Sequence, residues 1–229
     1  MSPAMSTAPA PSGLAPSLAF LTRHQRDLDA YRTQVHSSAE ARFGPSFFGV
    51  LDEWCPLGAT PTIVDLGCGP ATLLARLRAR HPGARLIGVE LHPALLEMAA
   101  PTAAAAGITL VPADLALPVP LPDASADLVL STLSFHEVPH PPDLLANAAR
   151  LLRPGGRLLL QDIVRHSLRD DLAGRPVTPD TLAHFREHTA FTPEDLAFLA
   201  EDAGLRVLEV LTRGGGRFAT LVAERPATA

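Results

Sequence analysis

The sequence predicts an α/β fold: a doubly wound, seven-strand mixed sheet with a C-terminal antiparallel hairpin and an N-terminal helical lid. Three observations predict it. From Thr62 onward, short apolar runs of strand length alternate with longer segments whose apolar residues recur at helical spacing. Such alternation implies right-handed crossovers and a parallel sheet covered on both faces. The first predicted strand runs directly into Gly67-Cys68-Gly69-Pro70, a tight strand-to-helix turn, and Arg213-Gly214-Gly215-Gly216 joins the last two strands as a hairpin would.

Each element follows from its residues. Residues 1–17, rich in Ala, Pro and Ser, read as a disordered tail without the cationic stretch and apolar run of a signal peptide. Residues 18–57 read as the helical lid. Leu18, Leu21, Leu28, Tyr31 and Val35 form one amphipathic face, and Phe47, Phe48, Leu51 and Trp54 a second, with Gly44-Pro45 between them. Residues 58–229 form the main domain. Thr62–Leu66 is a buried strand, and Pro70–Arg80 a helix with Leu73, Leu74 and Leu77 on one face. Arg85–Glu90 is the second strand. Pro93–Ala106 is the second helix, which Pro101 should kink or shorten. Ile108–Val111 and Asp127–Ser131 are strands, Pro142–Leu152 is a helix, and Pro154-Gly155-Gly156 turns into the strand Arg157–Val164. An insert, residues 165–191, with a helix over Pro179–His188, caps the pocket. Thr192 caps a helix over Pro193–Ala203 that Gly204 ends, and Leu205–Leu211 and Phe218–Ala223 complete the sheet.

Composition excludes several function classes. The chain has 229 residues, 47% of them apolar, enough for a real core. Its 19 basic residues are all Arg, against 24 Asp and Glu, for a net charge of −5. A cationic face for nucleic acid or anionic membrane is therefore not expected. The absence of lysine removes Schiff-base chemistry and a phosphate-loop lysine. Cys55 and Cys68 are too few for a disulfide scaffold or a four-thiolate zinc site. With no apolar run long enough to span a bilayer, a soluble, cytoplasmic protein is expected. The oligomeric state is left open.

The chemistry-bearing segment is Val64-Asp65-Leu66-Gly67-Cys68-Gly69-Pro70-Ala71. Its glycines let the backbone turn sharply and approach a ligand. The third glycine of a dinucleotide fingerprint would fall at Thr72 and is missing, which argues against a nicotinamide-dependent oxidoreductase. Asp65 beside the loop disfavours a phosphate and favours an ammonium or sulfonium. The chain therefore resembles a class I S-adenosylmethionine-dependent methyltransferase of the small, single-domain, Rossmann-like kind, by motif over about residues 62–163.

The resemblance implies roles for particular residues. Gly67 and Gly69 form the floor under the methionine part of the cofactor S-adenosylmethionine, and Asp65 helps hold its amino group. Glu90 ends the second strand, 25 positions after Asp65, and accepts from the ribose hydroxyls; Leu91 contacts the adenine face. Asp114 accepts from the adenine amino group, and the amide of Leu115 donates to the ring. Ser131 or Thr132 contacts the methionine end, and His136 lies where a side chain can face the acceptor as a base. Tyr31 would sit near the sulfonium, where an aromatic face attracts a cation. His92 is expected to cap the following helix. Asp162, ending the fifth strand, is a candidate metal ligand or base but more simply a local hydrogen-bonding group. His184 and His188 share a helix face but lack a third ligand, so no metal is expected.

Methyl transfer is an in-line displacement at an already electrophilic carbon. Alignment can supply ~7–11 kcal/mol, whereas a base adds only ~10²–10⁴-fold. The resemblance thus implies a transferase acting on a small-molecule substrate, without nucleic-acid or membrane partners. Two other readings keep the cofactor: an enzyme that cyclises or transfers the amino-acid arm and releases methylthioadenosine, and a noncatalytic cofactor-binding protein.

Overall fold

The computed structural model describes residues 17–18, 38, 42–172, 174–179, 182 and 191–227. The expected tail, most of the lid with Tyr31, and most of the insert with His184 and His188 lie outside the described residues.

Helix α1 spans Pro45–Trp54 and buries Phe47, Val50 and Leu51. The sheet strands are β1 (Thr62–Leu66), β2 (Arg85–Glu90), β3 (Ile108–Pro112), β4 (Ala126–Thr132), β5 (Leu152–Ile163), β6 (Arg206–Arg213) and β7 (Phe218–Glu224). Between them lie α2 (Thr72–Arg80), α3 (Pro93–Ala106), α4 (Pro142–Leu151), the short α5 (Leu168–Leu172) and α6 (Pro193–Asp202). The strand order is β3-β2-β1-β4-β5-β7-β6. The first five strands pair parallel, and β7 runs antiparallel to both β5 and β6. This is the predicted mixed, doubly wound sheet with its C-terminal hairpin.

Alternation along the strands sends side chains to opposite faces. Val64 and Leu66 pack with Leu144, Leu145 and Leu196 from α4 and α6. Ile63 packs on the other face with Leu51, Leu74 and Ala99 from α1, α2 and α3. Both faces are therefore covered, as a parallel sheet requires. Because β1 pairs with both β2 and β4, the chain reverses direction across the sheet at that pair. A crevice at such a switch point, at the carboxyl ends of the strands, is where open α/β sheets bind ligands.

Three local expectations are corrected. Helix α2 starts at Thr72 instead of Pro70, because Ala71 adopts a left-handed conformation with φ 61°. Pro101 does not shorten α3, which runs its full 14 residues. Both Pro101 and Glu97 one turn earlier are exposed, so water can satisfy the carbonyl that proline leaves without a donor. Residues Arg153–Gly156 belong to β5 as an irregularity: the register jumps from Ala126↔Leu152 to Leu128↔Arg157. Gly155 there has φ +77°, and its N–H donates to Arg225 O at 2.8 Å. The cap of α6 forms as expected: Thr192 Oγ1 accepts from Asp195 N and the Asp195 carboxylate accepts from Thr192 N. Among the described residues no helix is long and apolar enough to cross a membrane.

Candidate active site

The carboxyl ends of β1, β2 and β3 each bring one acidic residue to the crevice. Asp65 near the end of β1 is buried, and its Oδ1 has no hydrogen-bond partner. Desolvation, and next the negative charge of Glu90, push its pKa up to about 7, against a smaller opposing effect of Arg42. Glu90 ends β2. Its Oε2 accepts from Gly69 N at 3.0 Å, and its Oε1 from Leu91 N at 2.9 Å and His92 N at 2.8 Å. Burial raises the Glu90 pKa while these amides oppose the rise. A carboxylate offers about four lone-pair sites, so three are occupied and roughly one is left for a ligand hydroxyl. Asp114 follows β3. Its Oδ1 accepts from Ala116 N at 2.9 Å, and its buried Oδ2 has no partner.

The glycine loop is held to β2: Val89 O accepts from Gly67 N at 2.9 Å and from Cys68 N at 3.0 Å. Gly67 and Gly69 both have positive φ, +78° and +51°. Their surroundings differ. A Cβ on Gly67 would lie 2.4 Å from Ser134 Cβ, whereas one on Gly69 meets nothing within 4 Å. Gly67 is thus demanded by protein packing, and Gly69 borders the open space. His92 caps α3, its Nδ1 accepting from Ala94 N at 3.2 Å. Leu91 is half-buried and Leu115 buried.

Beyond β4 lies a short turn, Phe135–Glu137. Ser131, fully buried, hydrogen-bonds Ser134, whose hydroxyl donates to Leu66 O at 2.9 Å. His136 is buried. Its Nδ1 lies 2.5 Å from Asp162 Oδ1, and its Nε2 3.3 Å from Glu137 Oε1. Burial alone would lower its pKa, but the charges and hydrogen bonds of Asp162 and Glu137 raise it to about 10. The sequence places His136 as a base; these two carboxylates favour its protonated form, in which Nδ1 donates to Asp162. Asp162 also accepts from Phe135 N at 2.8 Å and from Ile163 N at 2.6 Å, so it fastens the turn to β5. Phe135 packs on Phe191 at 5.7 Å, and Arg165 N donates to Phe191 O, so the two ends of the 165–191 insert meet beside this turn.

Removing Asp162 should leave His136 a buried cation without its nearest carboxylate. Asp162→Ala is therefore expected to lower stability by about 3–5 kcal/mol in urea unfolding at neutral pH. The His136 contribution is full below its ordinary 6.5 and is lost as pH rises through about 10. The wild-type margin over the variant should shrink accordingly in alkali.

Ser134 and Asn147 are not singled out by sequence reading. Asn147 had a visible signal: it lies three residues after Leu144 and one before Ala148, on the buried face of α4. Ser134 had none, since its contact with Gly67 is set by the sheet. Among the described residues no group of three or more His, Cys, Asp and Glu could hold a metal ion.

A family model described as a methyltransferase domain matches residues 64–160. The chain is 34% identical over 125 residues to malonyl-[acyl-carrier protein] O-methyltransferase of Hahella chejuensis, covering 55% of this chain and 43% of that protein. It is 34% identical over 145 residues to trans-aconitate 2-methyltransferase of Streptomyces coelicolor, covering 58% and 47%. The chain thus spans about half the length of these curated relatives. A crystal structure of a SAM-dependent methyltransferase from Aquifex aeolicus superposes with a TM-score of 0.67 at 20% identity, covering 86% of this chain and 97% of that one.

The cofactor of this family fits the residues present. Two buried carboxylate oxygens without donors, Asp65 Oδ1 and Asp114 Oδ2, suit an ammonium and an aromatic amine, and the space over Gly69 is open. Residues 64–160, which carry the glycine loop, Glu90, Asp114 and Ser131, are thus similar to the methyltransferase domain, and the fold is that of the S-adenosylmethionine-dependent methyltransferases.

Proposed function

We propose that the chain transfers the methyl group of S-adenosylmethionine to a small-molecule acceptor. The observation that carries this reading is the series Asp65, Glu90, Asp114 on three adjacent strand ends. Neighbouring strands lie about 4.8 Å apart, so the series spans about 10 Å, the reach of an extended nucleoside with an amino-acid arm. In that order the acidic groups suit an ammonium, a ribose hydroxyl and an adenine amine. An unmet buried acceptor costs about 1–3 kcal/mol, which a ligand with donors at both ends recovers.

The bound cofactor supplies an activated methyl on a sulfonium. The chain's own residues bind and orient it. Glu90, gripped by three amides, fixes the ribose, and the Gly67–Gly69 turn sets the height of the methionine arm. His136 keeps its proton and, with Asp162, holds the turn that borders the acceptor. This favours an acceptor whose nucleophilic atom needs no base, because alignment is the larger contribution. The curated relatives are named for trans-aconitate, a small molecule, and for a carrier-borne malonyl group, so acceptor size needs its own test.

Calorimetry should show micromolar binding of S-adenosylmethionine or adenosylhomocysteine, about −8 kcal/mol, and weaker binding of NAD. NAD binding equally or more tightly would overturn the reading. Methylthioadenosine released without an acceptor would favour use of the amino-acid arm. Tight binding with no turnover across a broad panel of small acceptors would favour a noncatalytic role.

A further inference from the structure

The residues after β3 that carry Asp114 form no regular element through Pro118, yet their polar groups lie against the buried side of α4. One side chain binds three of the groups in this stretch and at its end. Asn147, 4% exposed, accepts from Val119 N through Oδ1 at 2.9 Å. The two N–H groups of its Nδ2 are shared among three carbonyls, Leu115 O at 3.1 Å, Leu117 O at 2.9 Å and Asp143 O at 3.1 Å. Only a side chain with an amide donor and an amide acceptor can satisfy this arrangement. Arg150, one turn further along α4, donates to Val119 O at 2.6 Å and Leu121 O at 2.9 Å, which anchors the far end of the same loop.

The near end of the loop is Asp114 itself. Asp114 O accepts from Leu117 N at 3.1 Å, and its Oδ1 from Ala116 N, so its orientation is tied to the residues that Asn147 grips. The oxygen left over is the buried, donor-less Oδ2. We propose that Asn147 is a positioning residue for base recognition: by fixing Leu115, Leu117 and Val119 it aims Asp114 Oδ2 and the Leu115 amide at the edge of the nucleobase and so sets selectivity for a 6-amino purine. This rests on the proposed cofactor reading, in which Asp114 meets the adenine amine. Selectivity is exposed to such an error because a misplaced acceptor loses its advantage with the right base and its repulsion of the wrong one together.

The test uses the full chain and two ligands that differ only along one edge of the base, adenosylhomocysteine and S-inosylhomocysteine, in which a carbonyl replaces the 6-amino group and N1 carries a proton. Calorimetry measures both. Wild type should prefer the amino ligand by about tenfold or more. Asn147→Asp keeps the shape but sets a carboxylate oxygen against the carbonyls of Leu115 and Leu117; its preference should fall to about threefold or less. Leu159→Ala, a core truncation on the opposite sheet face, serves as a control: it should lose stability and keep wild-type selectivity. Should Asn147→Asp fail to fold, Asn147→Ser makes the same measurement without the like charge. A wild type that does not discriminate the two ligands overturns the underlying reading of Asp114. A wild type that discriminates, with an Asn147 variant that binds both ligands more weakly at an unchanged ratio, overturns the positioning role and leaves Asn147 a merely structural residue.

Discussion

Gly67→Val is expected to lower adenosylhomocysteine affinity at least about hundredfold while leaving a folded but weakened protein. Two effects combine. Gly67 has φ +78°, a left-handed conformation that costs a residue with a Cβ about 1–2 kcal/mol. The added Cβ would also sit 2.4 Å from Ser134 Cβ and 2.5 Å from its Oγ, and relieving such overpacking costs about 1–3 kcal/mol more. Neither side can retreat easily. Gly67 N is bonded to Val89 O, and the Ser134 hydroxyl to Leu66 O. The loop must therefore shift, and with it the Gly69 amide that orients Glu90. Urea unfolding should show a loss of about 2–5 kcal/mol. The double variant Gly67→Ala, Ser134→Gly, compared with Ser134→Gly alone, isolates the backbone strain, since both lack the Ser134 side chain and its hydrogen bonds. A folded Gly67→Val protein with wild-type affinity would show that the loop does not set the ligand's position.

That prediction also shows where sequence reading reaches and where it stops. The glycines were legible because a strand-to-helix turn with positive φ leaves few alternatives. The reason for Gly67 was not: the sequence suggests that a side chain there would fill the ligand's space, whereas the structure puts Ser134 in that place, 67 positions away and brought in by the pairing of β1 with β4. His136 was legible as a residue at the carboxyl end of β4. Its charge state was not, because that depends on Asp162 at the end of the neighbouring strand. Pairings across strands are fixed by register, and no local pattern records register. The fold itself was legible for the opposite reason. Alternating strand and helix periods, a capping box at Thr192 and a glycine hairpin are all local signals, and each agrees with the same topology. Pro101 failed as a local signal because the cost of proline depends on whether the carbonyl one turn earlier is wet, and Glu97 is exposed.

The second large effect concerns pH, and its sign is opposite to that of most carboxylates. Asp65 is buried beside Glu90 with an oxygen that nothing donates to. Its pKa is raised from 3.8 to about 7, by desolvation first and by the Glu90 charge second, while Arg42 opposes; the neighbouring Cys68 thiol, itself raised well above its usual range, is neutral there. The folded protein therefore holds a proton between about pH 4 and about pH 7 that the unfolded chain has released. Stability of the ligand-free protein must fall as pH rises through that window and level off above it, by about 4 kcal/mol in all. Asp65→Asn, which cannot ionise, isolates this contribution: the difference between its urea stability and that of wild type should grow from about pH 4 to about pH 7. Ligand binding follows from the same proton. An ammonium placed beside Asp65 favours the carboxylate, so binding below pH 7 must expel the proton, and adenosylhomocysteine affinity should rise nearly tenfold per pH unit well below pH 7, about fiftyfold from pH 5 to pH 7. Calorimetry at about pH 6 in buffers of different ionisation enthalpy should count close to one proton released per ligand bound in wild type and none in Asp65→Asn. An affinity that stays flat across the window, or a proton taken up on binding, would mean that Asp65 does not meet the cationic end of the ligand.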